Sequence, residues 1–382
     1  MPTKTDQPLD APLSDFLTDK SKRNDSGNYR RNAERVVREW VAWTNDERST
    51  YTFAALDVTD LEAYARHLKR RTDDSDGLAA SSARKYYDYV RAYLSWCQRR
   101  PYLAENPAKS ARADEPLPDA DEQADHEQQF WTPEQRKAIV AYVEERAYEA
   151  IDERGSDALA EARDRALVAT VGYSGVRGGE VLRDRNDDRR DGVRWRDVDL
   201  DGGTMTILEK GKQEYTDTGV PKQAVRALDR WKQVFDPPND EWPVFPTLHA
   251  PSLASAATAG LEAEGHDESE IEEIRDDATA LEICYEYEIA PPALTTAGAR
   301  NLMQRLSKAA DVPGLDTEDG EYLELHGGRR GAGGALLRTK GLEWAQKHLK
   351  HANPDTTMKA YENITAEETA KEAGEAFDEL DN

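Results

Sequence analysis

Cysteine is almost absent from this chain. Two residues, Cys97 and Cys284, stand far apart in 382, with no CxxC spacing. That excludes a disulfide-built scaffold and a cysteine-based zinc site, and it fits a reducing, cytoplasmic setting. Long apolar runs are missing too: no stretch approaches the roughly 20 residues that cross a bilayer, and the opening MPTKTDQPLDAPLSDF lacks the basic and apolar blocks of an export signal. There is no phosphate-binding G-x-x-x-x-G-K-[ST] loop and no convincing metal-ligand cluster, so neither a nucleotide nor a metal cofactor is expected. Asp187, Asp188 and Asp191 beside Arg189 read as a charged loop, not a ligand set. Internal repeats are absent as well.

Positive net charge is also lacking. The formal charge is -25, the isoelectric point is near 4.8 and the mean hydropathy is -0.86. Taken alone, such acidity argues against nucleic acid as a partner. The acids are spread along the chain, however, and arginine is frequent where lysine is sparse. This is the surface expected of a protein adapted to concentrated salt, where the Debye length shrinks to about 3 Å at 1 M. On that halophile reading DNA binding requires only local clusters of basic residues.

Such clusters exist. Residues 1–11 read as a flexible lead-in, and residues 12–111 as a helical unit. In NYRRNAERVVREWVAWT, Ala33, Val36, Val37, Trp40 and Val41 recur at helical spacing, with Arg30, Arg31, Arg35 and Arg38 on the other side. DVTDLEAYARHLKRR has a Thr59–Glu62 capping-box spacing and an apolar stripe of Leu61, Tyr64, Ala65 and Leu68. SSARKYYDYVRAYLSWCQRR lines up Tyr86, Val90, Leu94 and Cys97, and carries Arg84, Lys85 and Arg91 outside that line. Three consecutive basic helices in so acidic a chain point to a DNA-facing unit. Residues 112–129 are polar, acidic and aperiodic, an expected linker.

A second domain is expected over residues 130–382, opening at WTPEQRKAIVAYVEE with Thr132 as N-cap, Pro133 at the first helical position and Gln135 completing the box. ARDRALVATVGYSG follows as a helix. It runs into Gly175-Val176-Arg177-Gly178-Gly179-Glu180, whose glycines allow close approach of a backbone or ligand. The period then changes from 3.6 to 2: WRDVDLDGGTMTILEKGKQEYTDTGVPK predicts a small antiparallel sheet with turns at 201–203 and 210–212. Residues 261–289 hold 12 carboxylates against the single Arg275 and read as an acidic surface helix or insertion.

The segment LHGGRRGAGGALLRTKGLEWAQKHLKHANPDTTMKAYENI holds His326 and Arg329 in His-x-x-Arg spacing, then His351 and Tyr361. Leu342, Ala345 and Leu349 between them mark a helix with a buried face. A phosphodiester needs cationic donors for its non-bridging oxygens, a proton donor for the leaving oxygen and a nucleophile. The segment offers candidates for each.

The ordered set Arg177, Lys210, His326-x-x-Arg329, His351, Tyr361 resembles the tyrosine recombinase (phage integrase) family over nearly the whole chain. The resemblance implies a mainly α fold with a small antiparallel β-sheet: a helical N-terminal core-binding domain and an α+β catalytic domain. It implies double-stranded DNA as the partner, self-assembly as dimer to tetramer on it, a nucleoid-associated location, and no membrane or small-molecule substrate. Tyr361 would attack the scissile phosphate to give a 3′-phosphotyrosine. Arg177 and Arg329 would hold the non-bridging oxygens, His326 would assist as base, His351 would hydrogen-bond the phosphate, and Lys210 would protonate the 5′-oxygen. Lys212 is the alternative acid. Arg330 would add a phosphate contact. The acidic tail, residues 366–382, would pack on a neighbouring protomer.

Three positions depart from the family pattern. Glycines follow His326, Lys350 stands where glycine usually precedes the second histidine, and His351 to Tyr361 is a ten-residue step where nine is common. Besides strand exchange, a non-catalytic DNA-binding protein of this architecture and a type IB topoisomerase-like relaxing enzyme fit the same framework.

Overall fold

The computed structural model describes residues 5–21, 27–73, 77–119, 129–209 and 214–350. The chain forms two compact units, one of Met1–Glu127 with Asn186–Asp188, the other of Gln128–Arg185 with Arg189–Asn382.

The first unit is helical: α1 (Leu13–Lys20), α2 (Asn28–Arg48), α3 (Val58–Asp73), α4 (Ala80–Gln98) and the short α5 (Ala111–Asp114). The predicted stripes of α2 and α3 are the buried ones; in α4 the expected Tyr86 is half-buried and Tyr87 takes its place in the core. Val36, Val37 and Trp40 of α2, Leu61, Ala65 and Leu68 of α3, and Val90, Leu94 and Cys97 of α4 have no exposed surface. Fully burying a residue of this kind contributes about 1.5–3 kcal/mol before entropy is counted. Asp57, not Thr59, caps α3: its Oδ1 accepts from Thr59 N at 2.7 Å and Asp60 N at 3.3 Å, while Asp60 Oδ2 accepts from Asp57 N. Glu62 is instead a nearly buried carboxylate between Arg66 and Arg112.

Two sequence boundaries need correction. Residues 1–11 do not behave as a flexible lead-in over their described part. Leu9 is fully buried, its N–H bonds to Tyr51 O, its carbonyl accepts from Tyr93 Oη, and Phe53 N returns a bond to Gln7 O. One large aliphatic side chain and satisfied backbone groups suffice to fix the segment. Likewise, the described part of 112–129 is not an extended linker. Ala113 and Leu117 enter the first core, and Asp114 meets Arg91 at 2.7 Å.

The second unit is mainly α with a three-stranded antiparallel sheet. α6 (Pro133–Arg154), α7 (Leu159–Ser174) and the single turn α8 (Gly178–Val181) precede β1 (Val198–Asp199), β2 (Thr204–Leu208) and β3 (Tyr215–Gly219). α9 (Lys222–Phe235), α10 (Ala250–Glu264), α11 (Glu268–Asp277), α12 (Ala280–Glu286), α13 (Thr296–Ala309), α14 (Leu325–Lys340) and α15 (Leu342–Leu349) complete it. The capping box at Thr132 and Gln135 forms as read, and Gln135 Nε2 also donates to Pro313 O. Strand order is β1-β2-β3, with Val198 opposite Met205 and Ile207 opposite Thr216. The sheet's buried face alternates as period 2 demands, through Met205 and Ile207.

α7 is buried on nearly every side, with small and apolar residues filling its second half from Ala166 to Gly172. Its three buried charged residues are matched: Arg163 meets Asp164 at 2.7 Å and Pro246 O at 3.2 Å, Arg146 reaches Asp164 at 3.1 Å, and Arg165 meets Glu144 at 3.3 Å. The acidic stretch 261–289 forms the end of α10, then α11 and α12. Leu261, Ile271, Ile283 and Cys284 enter the core while the carboxylates stay outside, so this is an integral layer of the unit.

Candidate active site

The site is built where α7 ends. Gly175 adopts the left-handed conformation (φ 67°), and a Cβ there would sit 3.1–3.2 Å from the His348 ring and Leu349. Glycine therefore serves both the turn and the close approach of α15. The chain next presents Arg177 at the start of α8. Glu180, whose side chain is 2% exposed, receives two bonds from it: Arg177 N at 2.9 Å and Arg177 Nη1 at 2.8 Å. Burial opposes ionisation of Glu180. The Arg177 N–H, the Arg177 guanidinium and the charge of Arg329 outweigh it and hold the carboxyl below the usual range. The remaining guanidinium N–H groups of Arg177 have no partner among the described residues.

Arg329 lies on α14 and is 4% exposed. One terminal nitrogen donates to Gly175 O and the other to Leu349 O. It thereby ties the end of α7 to the end of α15, and it shares the field of Glu180 with Arg177. The structure thus brings Arg177 and Arg329 together, and sets His326 on the first turn of α14, exposed. Arg330 faces elsewhere: its Nη1 donates to Gln129 O at 3.3 Å and its guanidinium lies 5.9 Å from the Phe130 ring. Lys210, Lys212, His351 and Tyr361 lie outside the described residues, as does the tail 366–382.

The glycines after His326 have a reason that spacing alone does not disclose. A Cβ on Gly327 would meet Trp131 at 3.0 Å, one on Gly328 would meet Val171 at 2.7 Å, and one on Gly331 would lie 2.5 Å from Trp131 O. α14 is therefore a continuous helix whose bare side rests on Trp131 and Val171. Trp131 Nε1 donates to Glu324 O at 2.9 Å, and Trp131 N to Gly327 O at 3.1 Å. Sequence reasoning missed Trp131. The available signal was a helix face of glycines at i, i+1 and i+4, which calls for a large flat partner.

Two further residues were missed. His348 packs its ring on Gly175, while its Nε2 is buried without a hydrogen-bond partner among the described residues. Burial lowers its pKa, the Tyr173 backbone works against this, and Arg329 lowers it further. Lys350 ends α15 and reaches across to β3.

In the first unit most of the expected DNA-facing cations already have carboxylate partners. Arg30 and Arg38 share Glu34, Arg35 pairs with Glu39 and stacks on Tyr86, and Arg91 holds Asp114. Arg84 donates to Pro118 O and is part-buried. Lys85 is exposed, and Arg31, also exposed, donates to Asn186 Oδ1 at 2.8 Å. Exposed pairs of this kind are worth roughly 0–1 kcal/mol, so a phosphate can compete for their arginines. Among the described residues no group of three or more His, Cys, Asp or Glu could hold a metal ion, and no helix is long and apolar enough to cross a membrane.

With two arginines converging on one buried carboxylate beside an α14 histidine, the fold can be set against known proteins. It is the fold of the tyrosine recombinases and integrases. The Tn1549 transposon integrase bound to transposon right-end DNA superposes with TM-score 0.55 at 13% identity, over 93% of this chain and 95% of that one. The XerH site-specific recombinase in its post-cleavage complex with difH superposes with TM-score 0.56 at 15% identity, over 94% and 83%. In sequence, the chain is similar to tyrosine recombinase XerC of Xylella fastidiosa strain 9a5c, 27% identical over 223 residues, and to XerC of Xanthomonas campestris pv. campestris, 27% over 194. These alignments cover 57% and 50% of this chain, and the chain spans 62% and 49% of those relatives. No family model matches.

Proposed function

We propose that the chain is a site-specific tyrosine recombinase that cleaves and rejoins double-stranded DNA through a 3′-phosphotyrosine intermediate. The observation that carries this reading is the joint placement of Arg177 and Arg329 about Glu180, at the meeting of α7, α8 and α14. Arg177 keeps guanidinium N–H groups for a phosphate, and Arg329 fixes the two helix ends beside it. Tyr361 is the nucleophile in this reading, with His326 and His351 as proton-handling and phosphate-binding partners and Lys210, or Lys212, as the acid toward the 5′-oxygen. Tyrosine's ordinary pKa near 10 makes unaided attack slow at neutral pH, which is why the cationic cluster is needed.

The first unit grips the DNA, with Lys85 available, Arg31 exchanging its bond to Asn186 and the paired arginines exchanging carboxylate for phosphate. Copies assemble on the substrate through the acidic tail, and the net charge of -25 suits a cytoplasm of high ionic strength. The test is covalent capture on a pool of nicked suicide duplexes in high salt, comparing the wild type with Tyr361→Phe. A denaturant-resistant protein–DNA adduct in the wild type alone is expected. Equal DNA binding by both proteins with no adduct would make the chain an architectural DNA-binding protein. Adducts together with plasmid relaxation, but without strand exchange, would make it a topoisomerase-like enzyme.

A further inference from the structure

Lys350 closes α15 in the left-handed conformation, φ 50° and ψ 42°. Helices commonly end there on glycine, because a Cβ is disfavoured in that region. The lysine in this chain makes a contact that glycine cannot. Its Nζ donates to Thr216 Oγ1 at 2.8 Å. Thr216 stands on β3 opposite Ile207, and its hydroxyl donates to Glu209 Oε2 at 3.4 Å. Glu209 is 3% exposed, and its N–H bonds Glu214 O at 2.9 Å across the hairpin. It is also the residue directly before Lys210.

An ammonium–hydroxyl–carboxylate chain therefore runs from the end of α15 to the root of the 210–213 connection. The same end of β2 is held from the opposite direction. Arg190 Nη1 donates to Leu208 O at 3.0 Å and to Gly179 O at 2.9 Å, joining β2 to α8. Both ties lead to elements of the arginine site. Neither is needed for the sheet itself, whose register is complete without them.

We propose that Lys350 is a positioning residue for strand cleavage. It ties β3 at Thr216, and through it Glu209, to the end of α15, and Glu209 directly precedes in sequence the lysine that protonates the leaving oxygen in the recombinase reading. The inference rests on the recombinase reading. In the step concerned the tyrosine oxygen gives its proton to His326 and bonds phosphorus, the bond from phosphorus to the 5′-oxygen breaks, and that oxygen takes a proton from the lysine that follows β2.

The test compares single-turnover cleavage of a nicked duplex carrying the ordinary 5′-oxygen with one carrying a bridging 5′-sulfur, a leaving group that needs no proton. Full-length wild type, Lys350→Met, Lys350→Gly, Lys350→Arg and Tyr361→Phe are measured. Lys350→Met and Lys350→Gly are expected to slow the oxygen substrate at least about tenfold, with unchanged DNA affinity, and to approach the wild-type rate on sulfur. Lys350→Arg is expected to recover most of the oxygen rate. Glycine suits the local φ, so Lys350→Gly remains informative if the methionine variant folds poorly. Wild-type rates in both variants on oxygen, or equal slowing on both substrates, would overturn the proposal while leaving the recombinase reading intact. A wild type with no Tyr361-dependent adduct on either substrate would instead remove that reading, and this proposal with it.

Discussion

Arg329 donates to the carbonyl of Gly175, 154 residues earlier in the chain, and so fixes the turn from which Arg177 projects. Its other terminal nitrogen does the same for Leu349, the last residue of α15. One planar guanidinium thereby sets the distance between two helix ends. Arg329→Met should leave both carbonyls unpaired in a buried place and lower stability by roughly 2–4 kcal/mol. Arg329→Lys should recover little of this, since an ammonium is a point donor without the fork. Denaturant titration of both variants decides the matter, and a lysine variant as stable as wild type would refute the bracing role.

Glycines that look alike in the sequence should respond in opposite ways. Gly331→Ala puts a methyl 2.5 Å from the Trp131 carbonyl and should cost about 1–3 kcal/mol. Gly179→Ala meets nothing within 4 Å and lies in α8, so it should be neutral or stabilising by up to about 1 kcal/mol. Thermal midpoints of the two variants give the comparison directly.

The Glu180 carboxyl ionises at a lower pH in the folded chain than in the unfolded one, despite burial, because Arg177 and Arg329 favour the charged form. Its contribution is therefore complete above the unfolded value, about 4.3, and is lost as pH falls through the folded value. Glu180→Gln should destabilise by roughly 1–2 kcal/mol at pH 7, and the gap from wild type should close as pH is lowered below about 4. Unfolding midpoints of both proteins from pH 7 downward test the sign. A gap that widens on acidification would show that the carboxyl is not held ionised.

Salt should stabilise this protein where it weakens most DNA-binding proteins' substrates' hold. With 76 acidic and 51 basic residues, screening relieves more repulsion than it costs in exposed pairs such as Arg35–Glu39. The melting temperature should rise between about 0.1 and 1 M KCl, over the same range in which DNA affinity falls. A flat or falling melting curve would count against adaptation to salt.

Much of the architecture was legible because it rests on period. The stripes of α2, α3 and α4, the capping box at Thr132 and the change to alternation at β2 each follow from local spacing. What escaped depends on partners distant in sequence. Leu9 looked like part of a tail until Tyr93 and Tyr51 met its backbone, and Leu117 looked like linker until it entered the first core. At the site, Arg177 and Arg329 could be named from their motifs. The roles of His348, Lys350 and Trp131 could not, because each is defined by a contact with another element: Gly175, Thr216 and the bare side of α14. Arg330 likewise meets Gln129 and Phe130, contacts that its place beside the motif does not disclose.

The bare side of α14 also bears on accuracy. Where two elements meet through side chains, a misfit can be absorbed by switching rotamers, and the backbones drift by some fraction of an ångström. Gly327, Gly328 and Gly331 offer no rotamers of their own to switch, so the helix axis is set by its main chain against Trp131, Val171 and Gln129. Arg329 sits within that same stretch, between Gly328 and Gly331. The reach of its guanidinium is then an attribute of one side chain, insensitive to how the surrounding core is repacked.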